Sequence, residues 1–174
     1  MQFKNTVNLW GGIAQALHWA MAVLILQQLA SSHYMVFLDP GEGQDRFFYL
    51  FHELLGVLIL VLLVTRLGWQ VGASHASNTG LYAATAVMVG SSWLMASYAG
   101  FPVFPNAPWT LPNFTRQNLD YGRWAYNVHV WIGWAILGLV TVHAVAAIKH
   151  HVIDKDDVLR RMTPIWAYKW ITLK

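Results

Sequence analysis

The amino-acid sequence predicts an all-α integral membrane protein, a four-transmembrane-helix bundle formed by a single domain of residues 1–174. The first observation is composition, since 56% of the residues are hydrophobic and only 11% are charged, whereas soluble domains carry about 25% charged residues. The second is that four separate windows have the length of about 20 apolar residues that a spanning helix needs. The chain has no cysteine, which excludes disulfides, thiolate zinc sites and iron–sulfur clusters.

The four predicted spans differ in how apolar they are. In chain order they are residues 13–30, 48–69, 81–100 and 124–148. The second contains the unbroken apolar run LLGVLILVLLV. The third is the most polar, because it includes Ser91, Ser92 and Ser97. Small residues of this kind favour a helix that packs against neighbouring helices. After the fourth span, residues 164–174 place Trp166 and Trp170 four positions apart, which indicates a segment lying at the membrane interface.

The distribution of basic residues predicts the orientation of the bundle. With four spans, both termini lie on one side of the membrane, and eight of the 11 Lys and Arg residues fall on that side. The opposite loops hold only Arg46, Arg116 and Arg123. Because an excess of Lys and Arg marks the cytoplasmic side, we expect both termini in the cytoplasm. The formal net charge of +3 is therefore explained by topology, and nucleic-acid binding is excluded.

Four histidines lie inside the predicted spans, where ionisable side chains are costly and usually functional. They are His18, His52, His129 and His143. On the fourth span, His143 follows His129 by fourteen residues, which corresponds to about 21 Å of rise with both side chains within about 40° of one face. His18 matches the depth of His143, and His52 matches the depth of His129. The sequence thus predicts two histidine pairs at two depths.

Two imidazoles facing each other, without thiolates and without a carboxylate cluster, describe bis-histidine haem ligation. A hydrolytic metal site would need a third protein ligand and an open position. The sequence therefore predicts two haem b groups held between the helices. Gly56 and Gly133 lie one turn from two of these histidines and either admit a porphyrin edge or allow close helix packing. The alternative is a structural membrane protein in which the histidines belong to unrelated polar networks.

The motifs around these residues carry a family resemblance along the whole chain. They are ALHW at His18, FHELLG at His52, VTRL at Arg66, NVHVWIGW at His129, TVHA at His143 and HHVIDKDDVLRRMTP from His150. With these motifs at these spacings, the chain resembles the bacterial cytochrome b561 family of small diheme membrane proteins. The resemblance implies residence in the bacterial inner membrane and electron exchange with quinone, most simply ubiquinone. A homodimer is a further expectation, since small membrane cytochromes often pair.

The resemblance also implies roles for individual residues. His18 and His143 would ligate a cytoplasmic haem, and His52 and His129 a periplasmic one. Arg66 ends the second span at a level where it could meet a haem propionate, although it could equally be a positive-inside anchor. The family has a histidine pair at the place of His150 and His151. These two are candidates for a quinone site or its proton supply, and the alternative is a hydrated basic cluster.

Two functions follow, and they differ in the electron donor. The family's best-known activity is superoxide oxidation coupled to quinone reduction, for which Arg46, Arg116 and Arg123 would form an attractive funnel for the anion. The formal charge of the outer loops is nevertheless −1, because they contain four acidic residues in addition to these three arginines. The second function is an electron-relay subunit that docks a separate dehydrogenase or another redox partner. The aromatic, proline-rich loop 101–123 would then be its docking surface.

Overall fold

The structure, a computed structural model, describes residues 10–36, 44–71, 79–101, 103 and 112–163. This part of the chain forms helices and no β-strand. Each predicted window coincides with one long helix. The helices are α1 (Gly12–Val36), α2 (Gln44–Val71), α3 (Thr79–Ala99) and α4 (Leu119–Lys149), followed by a π-helical turn (His150–Asp154) and the short helix α5 (Val158–Met162).

Three helical segments in the described ranges are long and apolar enough to cross a membrane. They are Gly12–Met35, Phe47–Trp69 and Leu119–Asp154. The prediction of an all-helical chain with apolar, span-length helices is confirmed to this extent. Helix α3 has 21 residues but does not belong to this group, because its serine and threonine residues lower its mean hydropathy. That α3 also crosses the membrane stays a prediction, and the interfacial segment 164–174 lies outside the described residues.

Helices α1 and α2 form one antiparallel pair, and α3 and α4 form another. Near the start of α2, the backbone carbonyl of His52 accepts a hydrogen bond from Gln28, near the end of α1. At the other end of the same pair, Arg66 lies beside His18. Within each pair the two backbones run close together along their length, whereas α2 and α3 approach each other less. The interior between the two pairs is therefore lined by side chains rather than closed by backbone contact.

The α3–α4 connection is held tightly at both of its ends. Gly100 adopts a left-handed conformation with φ of 77°, and the amide of Phe101 donates to the carbonyl of Ala96, which ends α3 in the manner of a Schellman motif. Asn118 caps α4 by accepting hydrogen bonds from the amides of Asp120 and Tyr121 at 3.1 Å. These two ends meet because the amide of Asn118 also donates to a carbonyl at the end of α3, over 2.9 Å.

Much apolar side-chain surface faces outward. On α4, the side chains of Trp131 and Val142 are 73% and 68% exposed, and further large apolar residues on α1 and α2 are also exposed. A soluble monomer rarely exposes continuous apolar surface of this kind. Exposed apolar faces on span-length helices are what a lipid environment accommodates.

The segment after α4 folds back onto the start of α1. Gln15 donates a hydrogen bond from Nε2 to the carbonyl of Arg161 over 3.0 Å. One turn further along α1, the indole nitrogen of Trp19 donates to the carbonyl of Met162 over 2.8 Å. The chain reverses between α4 and α5 at Lys155, the single described non-glycine residue with a positive φ, of 52°. The beginning and the end of the described chain therefore meet beside His18.

Candidate metal centres between the helices

Two histidine pairs lie in the interior between the helix pairs. His18 of α1 and His143 of α4 have ring centroids 6.1 Å apart, with the ring planes inclined by 60°. His52 of α2 and His129 of α4 have ring centroids 6.3 Å apart, with the planes inclined by 70°. The structure thus brings together the same partners that their depths in the spans predict. All four side chains are half-buried.

The spacing within each pair suits a metal atom held between two imidazoles. Metal–imidazole bonds of about 2 Å place the centroids of two rings on opposite sides of one metal about 6 Å apart. Both observed separations, 6.1 and 6.3 Å, match this value. Among the described residues, neither pair belongs to a cluster of three or more His, Cys, Asp or Glu ligand atoms, so the donor set that each pair offers is two imidazole nitrogens. That set fits haem iron, whose other four ligands come from the porphyrin.

The rings of the second pair are oriented by serines of the neighbouring helix. Nδ1 of His52 lies 3.4 Å from Oγ of Ser31 on α1. Nδ1 of His129 lies 3.4 Å from Oγ of Ser91 on α3 and 3.2 Å from the carbonyl oxygen of Met88. Oxygen partners of this kind hold the ring hydrogen on Nδ1 and leave Nε2 free to bind a metal.

In the His18–His143 pair, the neighbour of the ligand ring is an arginine. Both terminal nitrogens of the Arg66 guanidinium lie 3.4 Å from Nδ1 of His18. The guanidinium also approaches the sulfur of Met21 and lies 5.4 Å from the centre of the Tyr82 ring. None of these three contacts is acidic. Arg66 is therefore at the level of the His18–His143 pair, with a positive charge that its described contacts do not neutralise.

The two glycines face their helix partners. A Cβ atom on Gly56 would meet Nε2 of Gln28 at 3.6 Å, and one on Gly133 would meet the terminal methyl of Met88 at 3.5 Å. Each glycine therefore allows close packing within its own helix pair, α1–α2 or α3–α4. Of the two interpretations of these glycines, the structure favours helix packing.

His150 and His151 lie in the π-helical turn after α4. Nδ1 of His150 is 2.6 Å from a carboxylate oxygen of Asp156 and 3.2 Å from one of Asp154. Lys149 holds the same Asp154 oxygen at 2.6 Å. The pKa of Asp156 is lowered, chiefly by the hydrogen bond from the backbone amide of Val158, which outweighs partial desolvation, and further by His150 and Arg161. The predicted basic cluster is thus an ion-pair network.

The three outer arginines are only partly described. Arg46 belongs to the first turn of α2, but its side chain lies outside the described residues. Arg116 precedes α4, Arg123 lies in the second turn of α4, and both side chains are exposed. Most of the loop 101–123 before Pro112 also lies outside the described residues. A convergence of these arginines therefore stays a prediction.

Several residues of these sites are not among the predicted ones. Ser91 is predicted only to pack against neighbouring helices, and Ser31, Asp154 and Asp156 have no predicted role. The sequence holds a signal for the serines, since each is a polar residue within an apolar helix. The structure buries both almost fully, with 6% of Ser31 and 5% of Ser91 exposed. Which histidine each serine faces depends on the packing between helices, which spacing along one helix does not reveal.

The chain is similar to known proteins of one family. The family model of the prokaryotic cytochrome b561 matches residues 9–77 and 70–164. The chain is 28% identical to the "Cytochrome b561 homolog 2" of Escherichia coli strain K12 over 178 residues, which covers 93% of this chain and 95% of that protein. It is 26% identical to the "Cytochrome b561 homolog 1" of the same organism over 176 residues, covering 85% of this chain and 93% of that protein.

The family match extends over both helix pairs and all four paired histidines, and it implies b-type haem and electron transfer in a membrane. The resemblance stated from the motifs is therefore confirmed. The chain belongs to the prokaryotic cytochrome b561 family of membrane b-type cytochromes.

Proposed function

We propose that this cytochrome carries two haem b groups and moves electrons across the bacterial inner membrane to ubiquinone, with superoxide as the electron donor. The observation that carries the proposal is the presence of two histidine pairs with ring centroids 6.1 and 6.3 Å apart. Because His129 and His143 lie fourteen residues apart on α4, the two centres are separated by about 21 Å along the helix. This distance supports an arrangement in which the two centres lie toward opposite faces of the membrane.

His18 and His143 would ligate one haem, and His52 and His129 the other. The haem supplies an iron that alternates between two oxidation states and stores one electron. The protein supplies axial nitrogens, a dry interior and orientation. Arg66 would pair with a haem propionate, because its charge meets no acidic group among its described contacts and a carboxylate would satisfy it.

The reaction balances with two superoxide ions for each quinone. Two superoxide anions release one electron each and become O₂, while one ubiquinone accepts two electrons and two protons and becomes ubiquinol. His150 and His151 would supply these protons on the cytoplasmic side. His150 is suited to this, since it contacts two carboxylates at an exposed helix end and can be reprotonated from water. Arg46, Arg116 and Arg123 would attract superoxide on the opposite side.

The proposed topology has four spans, with both termini in the cytoplasm. The distribution of Lys and Arg supports this orientation, eight residues against three. Helix α3 is included because it packs antiparallel along α4, itself a span-length helix, and brings Ser91 to the depth of His129. A helix at that depth beside a span lies within the bilayer.

A second candidate is an electron-relay subunit that docks a separate redox protein. The observation favouring it is an exposed aromatic surface at the end of the bundle near His52 and His129. Phe101 and Phe114 are 72% and 56% exposed, and Trp93 supports Phe114 with its ring centroid 5.3 Å away. Exposed aromatic residues are typical of protein interfaces.

The experiment that separates the two functions is optical. Purified oxidised protein receives a pulse of superoxide, with and without ubiquinone, while the haem absorbance is followed. We expect rapid reduction, then reoxidation only when ubiquinone is present. Protein that superoxide leaves oxidised, but that dithionite reduces, would instead support the relay subunit. A protein without a haem band would contradict both functions.

A further inference from the structure

The paired histidines differ in what their Nδ1 atoms meet. His52 and His129 each face a buried serine hydroxyl at 3.4 Å. His18 faces the Arg66 guanidinium, also at 3.4 Å. His143 has no hydrogen-bond partner in the described ranges. In the His52–His129 pair both Nδ1 atoms thus meet hydrogen-bond acceptors, whereas in the His18–His143 pair one Nδ1 atom meets a cation.

The serines are oriented to accept hydrogen bonds from the rings. The Ser31 hydroxyl donates to the carbonyl of Gln28 over 3.1 Å, and the Ser91 hydroxyl donates to the carbonyl of Met88 over 2.9 Å. With their hydrogens directed at these carbonyls, both oxygens present lone pairs to the imidazoles. His129 has a second acceptor in the Met88 carbonyl, at 3.2 Å.

Arg66 has the opposite effect on the first pair. A guanidinium can donate hydrogen bonds but cannot accept them, and it keeps its charge at all physiological pH values. A positive charge beside a metal ligand, including one that compensates a propionate of the same haem, favours the metal state that carries less positive charge, which is the reduced state. A ligand N–H that donates to an oxygen makes the imidazole a stronger base and favours the oxidised state.

We propose that Ser31 and Ser91 are positioning residues that lower the potential of the His52–His129 centre, while Arg66 raises that of the His18–His143 centre. The inference rests on the haem ligation proposed above. Each centre takes up one electron, and the His18–His143 centre is reduced first. The residues of the chain thus create a gradient that favours electron movement toward the end of the bundle that carries the π-helical turn.

The test is a redox titration of purified, haem-loaded protein with mediators, followed by haem absorbance. We expect two components in the wild type. Ser31→Ala raises the potential of the lower component, so that its ratio of reduced to oxidised haem at the wild-type midpoint increases several-fold. Ser91→Ala acts on the same component but less strongly, because the Met88 carbonyl remains. Ser31→Thr keeps a hydroxyl and restores the wild-type value.

Matched variants separate this effect from general disturbance. Ser32 neighbours Ser31 and makes the same type of hydrogen bond, to the Leu29 carbonyl, without a histidine contact. Ser32→Ala therefore leaves both components in place. Arg66→Gln lowers the upper component only, and Arg66→Lys, which keeps the charge, shifts it less.

The outcomes distinguish this inference from the proposed function. Two bound haems with unchanged potentials in both Ser31→Ala and Ser91→Ala would overturn the inference and leave the proposed function intact. A shift of the upper component in these serine variants would also overturn it. A wild-type protein that binds fewer than two haems would contradict the proposed function itself.

Discussion

The indole nitrogen of Trp19 donates a hydrogen bond to the carbonyl oxygen of Met162 over 2.8 Å, and so fastens the end of α5 to α1 one residue away from His18. Gln15 adds a second hydrogen bond from α1 to the same short helix. The segment after the last span is thereby held against the end of the bundle that carries the His18–His143 pair.

Loss of this fastening should expose the segment to protease. Trp19→Phe removes the donor but keeps most of the ring, which costs about 1 kcal/mol for the hydrogen bond. We expect trypsin to cleave after Arg160 or Arg161 several times faster than in the wild type. Trp131→Phe is the control, because Trp131 is an exposed residue of α4 away from this contact. Equal cleavage rates for both variants would mean that the hydrogen bond does not hold the segment.

Removing one histidine of a pair should remove the same haem as removing its partner. We expect His18→Ala and His143→Ala to reduce the haem content from two to one per chain and to lose the same spectral component. His52→Ala and His129→Ala should lose the other component. The measurement is haem per protein together with low-temperature absorbance. His33→Ala is the control, because the His33 ring contacts the Leu29 carbonyl and Trp134 and belongs to neither pair.

Close packing of α3 against α4 should limit the residue at position 122. A Cβ atom on Gly122 would lie 3.5 Å from Cβ of Tyr98 and 3.6 Å from the backbone nitrogen of Ala99, which is ordinary contact. We therefore expect Gly122→Ala to be tolerated and Gly122→Leu to destabilise the protein by about 1–3 kcal/mol through overpacking. Thermal unfolding followed by circular dichroism measures the difference. Gly90→Leu, where no atom lies within 4 Å, should unfold like the wild type.

Protonation of Asp156 should release the start of α5. Its carboxylate accepts a hydrogen bond from the amide of Val158 over 3.0 Å, and its pKa lies below the ordinary value of 3.8. A lowered pKa means that this stabilisation is present at neutral pH and is lost as the pH falls below 3.8 and through the lowered pKa.

Hydrogen exchange at the Val158 amide measures this effect. Asp156→Ala should speed exchange at neutral pH, because the acceptor is lost. Asp156→Asn keeps an acceptor oxygen and should retain more of the protection, without the acid-dependent loss. Protection that falls with acid equally in the wild type and in Asp156→Asn would assign the loss to another group.

The outer arginines should govern the rate of the reaction with superoxide. Replacing Arg46, Arg116 and Arg123 by glutamine removes three positive charges, so we expect slower haem reduction by superoxide and a weaker dependence of that rate on salt. Stopped-flow absorbance at several ionic strengths gives both quantities. Lys155→Gln, on the opposite side in the proposed topology, should change neither. A triple variant with wild-type rates would favour the relay subunit.

Apolar length indicates the helices, and depth along them indicates the histidine partners that the structure brings together. Apolar length predicts the ends of the long helices to within six residues. The two depths on α4 follow from helix geometry alone, so His52 and His129 could be matched before their contact was known. The serine contacts could not be predicted in this way, because they cross from α1 to α2 and from α3 to α4. The π-helical turn is also absent from the predictions. Its Lys149–Asp154 and His150–Asp154 contacts are local, and only the His150–Asp156 contact depends on the reversal at Lys155.

Helix α4 provides one ligand to each proposed centre, and both ligands belong to the same continuous rod of hydrogen-bonded backbone. Movement of α1 or α2 can tilt the opposite ring, but it cannot alter the spacing between His129 and His143. The rate of electron tunnelling falls off exponentially with distance. Because the backbone of α4 fixes the distance between His129 and His143, this rate is insensitive to bilayer thickness. Insertion of one residue between His129 and His143 would turn one imidazole by about 100° relative to the other. Electron transfer between the two centres would then be interrupted, although both histidines remain in the chain.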